Sequence, residues 1–247
     1  MLRSLSGALW TLYGVCALAV FGLLFVVAAI LVLAVPRLEW RRSLVRGLAR
    51  VALAIFGLRV TARGLANLPD DACVVTANHS SYLDGIVLKA ALPPRFSFVV
   101  KREAASMPVV GVVLKRIGSE FIDRHSQGGR HRDARRVMQR AEEGHSLVFF
   151  PEGTFDQHRG LKRFHTGAFV AAARGGMPVV PTIIHGTRRA LPPDSLIPRP
   201  GRIVVEILEP LTMAAVGNSA EGLRDESRRR ILARLDEPDL APQQAAR

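Results

Sequence analysis

Between Ala8 and Val35 the chain is almost entirely apolar and carries no charged residue. A membrane-spanning helix needs about 20 such residues, so this run is long enough to cross a bilayer. Pro36 closes it. The run is too long for the core of a signal peptide, and no small-residue cleavage site precedes the basic cluster that follows. Arg37, Arg41, Arg42, Arg46 and Arg50 lie on its carboxyl side and only Arg3 on the other. The positive-inside rule therefore expects the rest of the chain on the cytoplasmic face of a membrane. A second arrangement stays open: Gly14 and Gly22 allow a bend, and the run can enter one leaflet and return.

The chain divides into four parts on this reading: a hydrophobic membrane helix over 1–36, a basic amphipathic helix over 37–59, a main domain over 60–236, and a polar, fraying tail over 237–247. In the second part arginines alternate with Leu44, Val45, Leu48 and Val51. Such a helix can lie among lipid headgroups with arginine beside anionic lipid, or pack on the domain. The net charge of +13 over 247 residues calls for a polyanionic partner: nucleic acid, an anionic membrane surface or a phosphorylated ligand. The low aromatic fraction, 6%, argues against a stacking platform for single strands, and the long apolar segment argues against nucleic acid as a whole. Cys16 and Cys73 form neither a disulfide framework nor a metal-binding spacing, which suits a reducing compartment.

From Val60 onward, short β-branched runs alternate with helical spacing. Strands are expected at Val60–Arg63, Cys73–Asn78, Phe96–Val100, Gly118–Arg124, Ser146–Phe150, Val179–Ile184 and Ile203–Leu208, with helices between them. This is an α/β pattern, a mixed sheet flanked by helices. Pro181 lies inside a strand and marks it as an edge or a special turn. Asn218 and Glu221 resemble a capping pair at the start of the last helix. The His residues at 125, 131, 145 and 158 lack ligand spacing and read as surface residues, so no metal site is expected.

The stretch Asn78-His79-Ser80-Ser81-Tyr82-Leu83-Asp84 joins an apolar strand to a helix, with serine as its N-cap. Turns of this kind place polar side chains at the carboxyl end of a sheet, where α/β proteins bind ligands. His79 becomes a useful base if a carboxylate fixes its tautomer and orientation, and Asp84 is placed to do so. Arg124 ends one strand, in a turn suited to bidentate phosphate recognition. Glu152 and Gly153 form a turn after another, where glycine lets backbone approach a ligand.

Taken together these blocks resemble the 1-acylglycerol-3-phosphate acyltransferases, the lysophospholipid acyltransferases of membrane lipid synthesis. His79 and Asp84 match the family's His-x4-Asp motif. Lys101, Glu103, Pro108, Gly111 and then Gly118 with Phe121 to Arg124 match its second block. Phe150 to Thr154 match Phe-Pro-Glu-Gly-Thr, and Val179 to Ile183 match an apolar strand carrying proline. The order and spacing agree across roughly residues 72–186. The resemblance implies a glycerolipid acyltransferase-like fold and transfer of an acyl chain from acyl-CoA or acyl-carrier protein to a lysophospholipid hydroxyl, with no cofactor and no metal. It implies His79 and Asp84 as catalytic residues, Arg124 and Lys101 at the acceptor phosphate, and Glu152, Gly153 and Thr154 shaping the acceptor site, with Asn78 beside them. The chain also departs from the pattern. Arg-Ser usually follows the threonine, and here Phe155-Asp156 does. Lysine is common where His165 stands. A negative Asp156 near a phosphate would repel it, and Arg159, Lys162 and Arg163 are the nearby cations able to restore the charge. The expected acceptor is 1-acyl-glycerol-3-phosphate; a zwitterionic lysophospholipid or a lyso-aminolipid is one alternative, and a non-catalytic membrane lipid-binding protein that keeps the fold is the other, against which the intact His79–Asp84 pair speaks.

Overall fold

The computed structural model describes residues 2–123 and 127–241, with the side chains of 2–11, 17, 127, 128 and 130 outside that description. Two helices come first, α1 (Leu2–Ala34) and α2 (Leu38–Ile55), on either side of Pro36. Strands and helices then alternate: β1 (Leu58–Arg63), β2 (Val74–Ala77), α3 (Leu83–Ala91), β3 (Ser97–Lys101), α4 (Val110–Arg116), β4 (Glu120–Ile122), α5 (Gln127–Glu142) and β5 (Leu147–Phe149). The chain continues through α6 (Gly167–Arg174), β6 (Val179–His185), the short α7 (Thr187–Ala190), β7 (Gly201–Ile207) and α8 (Ala220–Arg234). The seven strands form one mixed sheet in the order β1-β7-β6-β2-β5-β3-β4. Strands β6, β2, β5, β3 and β4 run parallel, β7 opposes β6, and β1 follows β7.

Side-chain alternation divides the core between the two faces of the sheet. Val75 and Ala77 face α2 and α3, where they pack with Leu53, Val87 and Leu88. Val74 faces the other way, against Val137, Phe169 and Ile231 of α5, α6 and α8. Thr76, on that second face, is fully buried and shares a hydrogen bond of 2.9 Å with the hydroxyl of Ser227. Strands covered on both faces read as continuous apolar runs, which is why β2, β5 and β6 stood out in the sequence.

Three sequence expectations need correction. Pro181 lies on β6, an interior strand paired on both sides. Its carbonyl accepts from the amide of Leu208, one residue beyond the end of β7, and its own missing N–H falls where that ladder breaks off. The cap of α8 is Ser219, whose hydroxyl accepts from the amide of Gly222 at 2.9 Å, while Asn218 takes a left-handed turn with φ of 53°. Residues 237–241 do not fray: the Leu161 amide donates to the Pro238 carbonyl, the Leu161 carbonyl accepts from the Leu240 amide, and Arg228 pairs with Asp239.

The basic helix α2 packs on the domain through Arg42, Ala49, Ala52 and Leu53, and exposes Leu38, Trp40, Val51 and Ile55 on another side. Its arginines are committed to backbone carbonyls. Arg42 donates to Ile117 and Arg95, Arg46 to Ala90 and Ala91, and Arg50 to Ala90. Arg41 donates to Val35 and Pro36. Such contacts place cations on the orphan carbonyls at the ends of α3 and α1, where the helix dipole favours them. Among the described residues α1 supplies one segment, Leu12–Ala34, long and apolar enough to cross a membrane. It runs beside the domain over much of its length. The Tyr13 hydroxyl donates to Pro198, Phe21 meets Phe56, and Ala28 and Val32 pack with Val113 and Ile117.

Candidate active site

Strand β2 ends at Ala77, and the loop that follows is pinned before α3 begins. Asn78 clasps β6: its side-chain amide donates to the Ile184 carbonyl at 3.1 Å, and its oxygen accepts from the Ile184 amide at 2.7 Å. Both ends of that side chain are therefore occupied by backbone. Ser81 accepts from the Leu83 amide and donates to the Leu191 carbonyl, but the N-cap position of α3 is Tyr82, which makes no side-chain cap bond, and not the serine that the sequence suggested. Asp84 is fully buried. Its Oδ2 accepts from the amides of Ser80 and Ser81 at 2.6 and 2.8 Å and faces His79 Nδ1 at 2.9 Å. Two backbone amides thus hold the carboxylate, and the carboxylate holds the imidazole. With Nδ1 donating to Asp84, Nε2 is left as the proton acceptor.

The imidazole is 18% exposed and sits among aromatic rings. Phe150 stacks on it at 4.2 Å between centroids, and Phe155 meets it edge-on at 4.5 Å. Phe155 also packs on Tyr82 at 4.8 Å. The His79 backbone amide donates to Glu152 Oε1 at 2.6 Å, and the Lys162 amide donates to the same carboxyl group's Oε2 at 2.8 Å. Glu152 is buried, with both oxygens engaged by backbone. Burial pushes its pKa up to about 7, against the pull of the two amides and of Lys162. Gly153, with φ of 80°, makes the turn that brings Thr154 and Phe155 to the site.

An apolar cavity of about 600 Å³ opens beside this constellation. His79, Tyr82, Lys101, Gly153, Thr154 and Phe155 line it near the carboxyl ends of the strands, and Phe21, Leu24, Phe25 and Ala28 of α1 and Val45 and Leu48 of α2 wall it farther in. Lys101 lies at the end of β3, its amine 3.2 Å from the Thr154 hydroxyl. The cavity thus joins a polar mouth to a hydrocarbon interior, the character of a site for an amphipathic molecule.

Other residues singled out in the sequence lie elsewhere. Arg159 donates to the Asp236 carbonyl and pairs with Asp236 and Glu237, which ties it to the chain's carboxyl segment. Arg163 is exposed and Arg124 lies outside the described residues. Asp156 is paired with Lys162 at 2.5 Å, so its charge is met by a lysine that is itself buried. Arg136 and Arg140 of α5 pair with Glu120, which turns part of that basic helix toward the domain. Among the described residues no group of three or more His, Cys, Asp and Glu could hold a metal. Sequence reasoning missed the aromatic enclosure of His79. The signal available was the bulky Phe155 where an arginine is usual.

A family model described as Acyltransferase matches residues 59–185, and the chain belongs to that family. It is 35% identical to a chloroplastic 1-acyl-sn-glycerol-3-phosphate acyltransferase of Brassica napus, over 68% of this chain and 48% of the relative. It is 28% identical to the 1-acyl-sn-glycerol-3-phosphate acyltransferase of Haemophilus influenzae, over 69% of this chain and 70% of the relative. The chain therefore spans about half the length of the plant relative and more of the bacterial one. Its fold matches the crystal structure of the 1-acyl-sn-glycerophosphate acyltransferase PlsC of Thermotoga maritima, with a TM-score of 0.75, 22% identity and coverage of 99% and 98% of the two chains.

Proposed function

We propose that this protein transfers an acyl chain from acyl-CoA or acyl-carrier protein to the free hydroxyl of 1-acyl-glycerol-3-phosphate. The observation that carries the proposal is the His79–Asp84 pair at the mouth of an apolar cavity, beside Lys101. In this reading the donor's acyl chain lies in the cavity and its thioester carbonyl at the mouth. His79 Nε2 takes the proton from the acceptor hydroxyl as the oxygen attacks that carbonyl. The buried Asp84 carboxylate stabilises the imidazolium, which returns the proton to the departing thiolate as the carbon–sulfur bond breaks. The nucleophile comes from the substrate, so no acyl-enzyme forms. Lys101 and Arg124 are assigned to the acceptor phosphate, and Glu152 and Gly153 position the loops around it.

The apolar faces of α1 and α2 support membrane association. Because α1 contacts the domain from Tyr13 to Val32, about 28 Å of helix, we place it within one leaflet alongside the domain, with the catalytic face toward the cytoplasm. The test of the activity is thiol release by the purified protein in mixed micelles. Release should require both acyl-CoA, or acyl-carrier protein, and 1-acyl-glycerol-3-phosphate, and should vanish in His79→Ala. Release that does not depend on an acceptor lipid would overturn the proposal.

A second reading concerns the acceptor. Phe155 packs on His79 and Tyr82 and so presents no cation where the family pattern has arginine. This favours an acceptor without a phosphate monoester, and kcat/KM for the two acceptor classes decides between them.

A further inference from the structure

A base that activates a lipid hydroxyl can activate water in the same way. The nucleophile of the proposed reaction belongs to the acceptor, so nothing in the His79–Asp84 pair itself separates the two. Water in place of the lipid hydroxyl gives its proton to His79 Nε2 while its oxygen bonds the thioester carbonyl carbon. The carbon–sulfur bond breaks, the proton leaves on the thiolate, and the products are a fatty acid and a free thiol. A transferase of this kind needs a mouth that admits a hydroxyl carried on hydrocarbon and keeps water out.

The surroundings of His79 have that character. Asp84 takes Nδ1. Phe150 lies nearly parallel to the imidazole, at an interplanar angle of 21°, and Phe155 meets it at 69°. Tyr82 stands against Phe155 at 82° and is itself 62% exposed, so it forms the outer rim. All three rings line the cavity beside His79. The arginine usual at position 155 would bring five donors and their water to this place, whereas a phenyl ring offers water no such partner.

The loop that carries Phe155 is fastened from outside the site. Lys162 pairs with Asp156 at 2.5 Å and donates to the Thr154 carbonyl at 3.4 Å. Arg188 of α7 donates to the Asp156 carbonyl at 3.0 Å and pairs with Glu237 at 3.4 Å. Glu237 accepts in turn from the Gly160 amide at 3.1 Å. The residues on both sides of Phe155 are therefore held by the protein's own groups, and the place of the ring does not depend on a lipid headgroup.

We propose that Phe155, with Tyr82 at its rim, is a specificity residue that shields His79 from water and makes the protein a transferase and not a thioesterase. The inference rests on the reading of His79 as the base of acyl transfer. An acceptor lipid brings hydrocarbon that can lie against the rings as its hydroxyl reaches Nε2; water brings none.

The experiment follows free thiol, free fatty acid and acylated lipid together, with the full-length protein in mixed micelles, with and without acceptor. The donor is acyl-CoA or acyl-carrier protein, and the acceptor is 1-acyl-glycerol-3-phosphate or, where kcat/KM favours it, a zwitterionic lysophospholipid. Wild-type protein should release little fatty acid in either condition. Phe155→Ala should release it without acceptor and raise the ratio of hydrolysis to transfer about tenfold, equivalent to about 1.4 kcal/mol of lost discrimination. Phe155→Leu, which restores apolar bulk, should bring the ratio most of the way back. Adding His79→Ala to Phe155→Ala should remove the hydrolysis, because the same base drives it. Tyr82→Ala should shift the ratio in the same direction and covers the case in which Phe155→Ala does not fold. A Phe155→Ala protein that loses transfer without gaining hydrolysis, or an unchanged ratio in both Phe155→Ala and Tyr82→Ala, overturns the shield and leaves the acyltransferase reading standing. Wild-type protein that releases fatty acid as fast without acceptor as with it overturns both.

Discussion

The backbone amide of His79 and the carboxyl group of Glu152 are joined by a hydrogen bond of 2.6 Å. The loop that carries His79 and the turn after β5 are therefore one unit, closed on the far side by the Lys162 amide at 2.8 Å. Glutamine has one oxygen to serve two amide donors, so Glu152→Gln must oppose an NH2 group to one of them. The expected cost is about 1–3 kcal/mol of stability, read from denaturant unfolding, with a fall in kcat. Unchanged stability and unchanged kcat would show that the two loops are held by other contacts.

His79→Ala should lower kcat by about 10²–10⁴-fold while leaving the fold intact, because the side chain lies at a cavity mouth and not in the core. Asp84→Asn should be more disruptive. All three of its contacts go to Oδ2 and its Oδ1 is buried with no partner, so asparagine keeps the three contacts through its oxygen but buries an unpaired NH2 group in place of Oδ1 and loses the negative charge facing the imidazole. We expect lost activity together with a lowered Tm, measured by thermal unfolding. An Asp84→Asn protein as active as the wild type would remove the carboxylate from the mechanism.

Lys89 makes the stability of the protein depend on pH in a defined direction. Burial lowers its pKa from 10.5 to about 7. Between those values the unfolded chain holds a proton that the folded chain has released, so stability should rise with pH across this window. Below about 7 the folded protein carries a buried ammonium group. Lys89→Met removes the effect, so the variant should gain most over the wild type near neutral pH and less as pH rises through 9. Urea titrations at a series of pH values test this, and a gap that widens with pH would refute it.

The placement of α1 predicts its accessibility. Cys16 is exposed on α1 and Cys73 is fully buried, with its pKa raised to about 11 by burial. In sealed vesicles neither should react with a membrane-impermeant maleimide; in detergent Cys16 should react and Cys73 should not. A helix lying within one leaflet also leaves a tag before Met1 on the same side as the domain. Protease that reaches the tag from one side and the domain only from the other would establish a span instead.

Much of the chemistry is legible in the linear chain because local spacing encodes it. The uncharged run from Ala8, the β-branched segments separated by helical periods, and the five-residue step from His79 to Asp84 are short-range patterns. They determine an α/β chain with one apolar segment long enough to cross a membrane and a histidine within reach of an aspartate. Tertiary structure decided what each polar residue faces, since those contacts join distant positions. Glu152 meets the His79 amide across 73 residues and Asn78 meets Ile184 across 106. The arginines after Pro36, which the sequence leaves between lipid headgroups and the domain surface, are drawn to helix-end carbonyls because those orphan acceptors need donors. Pro181 sits inside the sheet because the neighbouring ladder stops where its donor is missing. Lys89 shows no signal in sequence, being one lysine on an apolar helix; only the tertiary fold brings its amine to the Phe96 carbonyl and the Phe98 ring in the cavity wall.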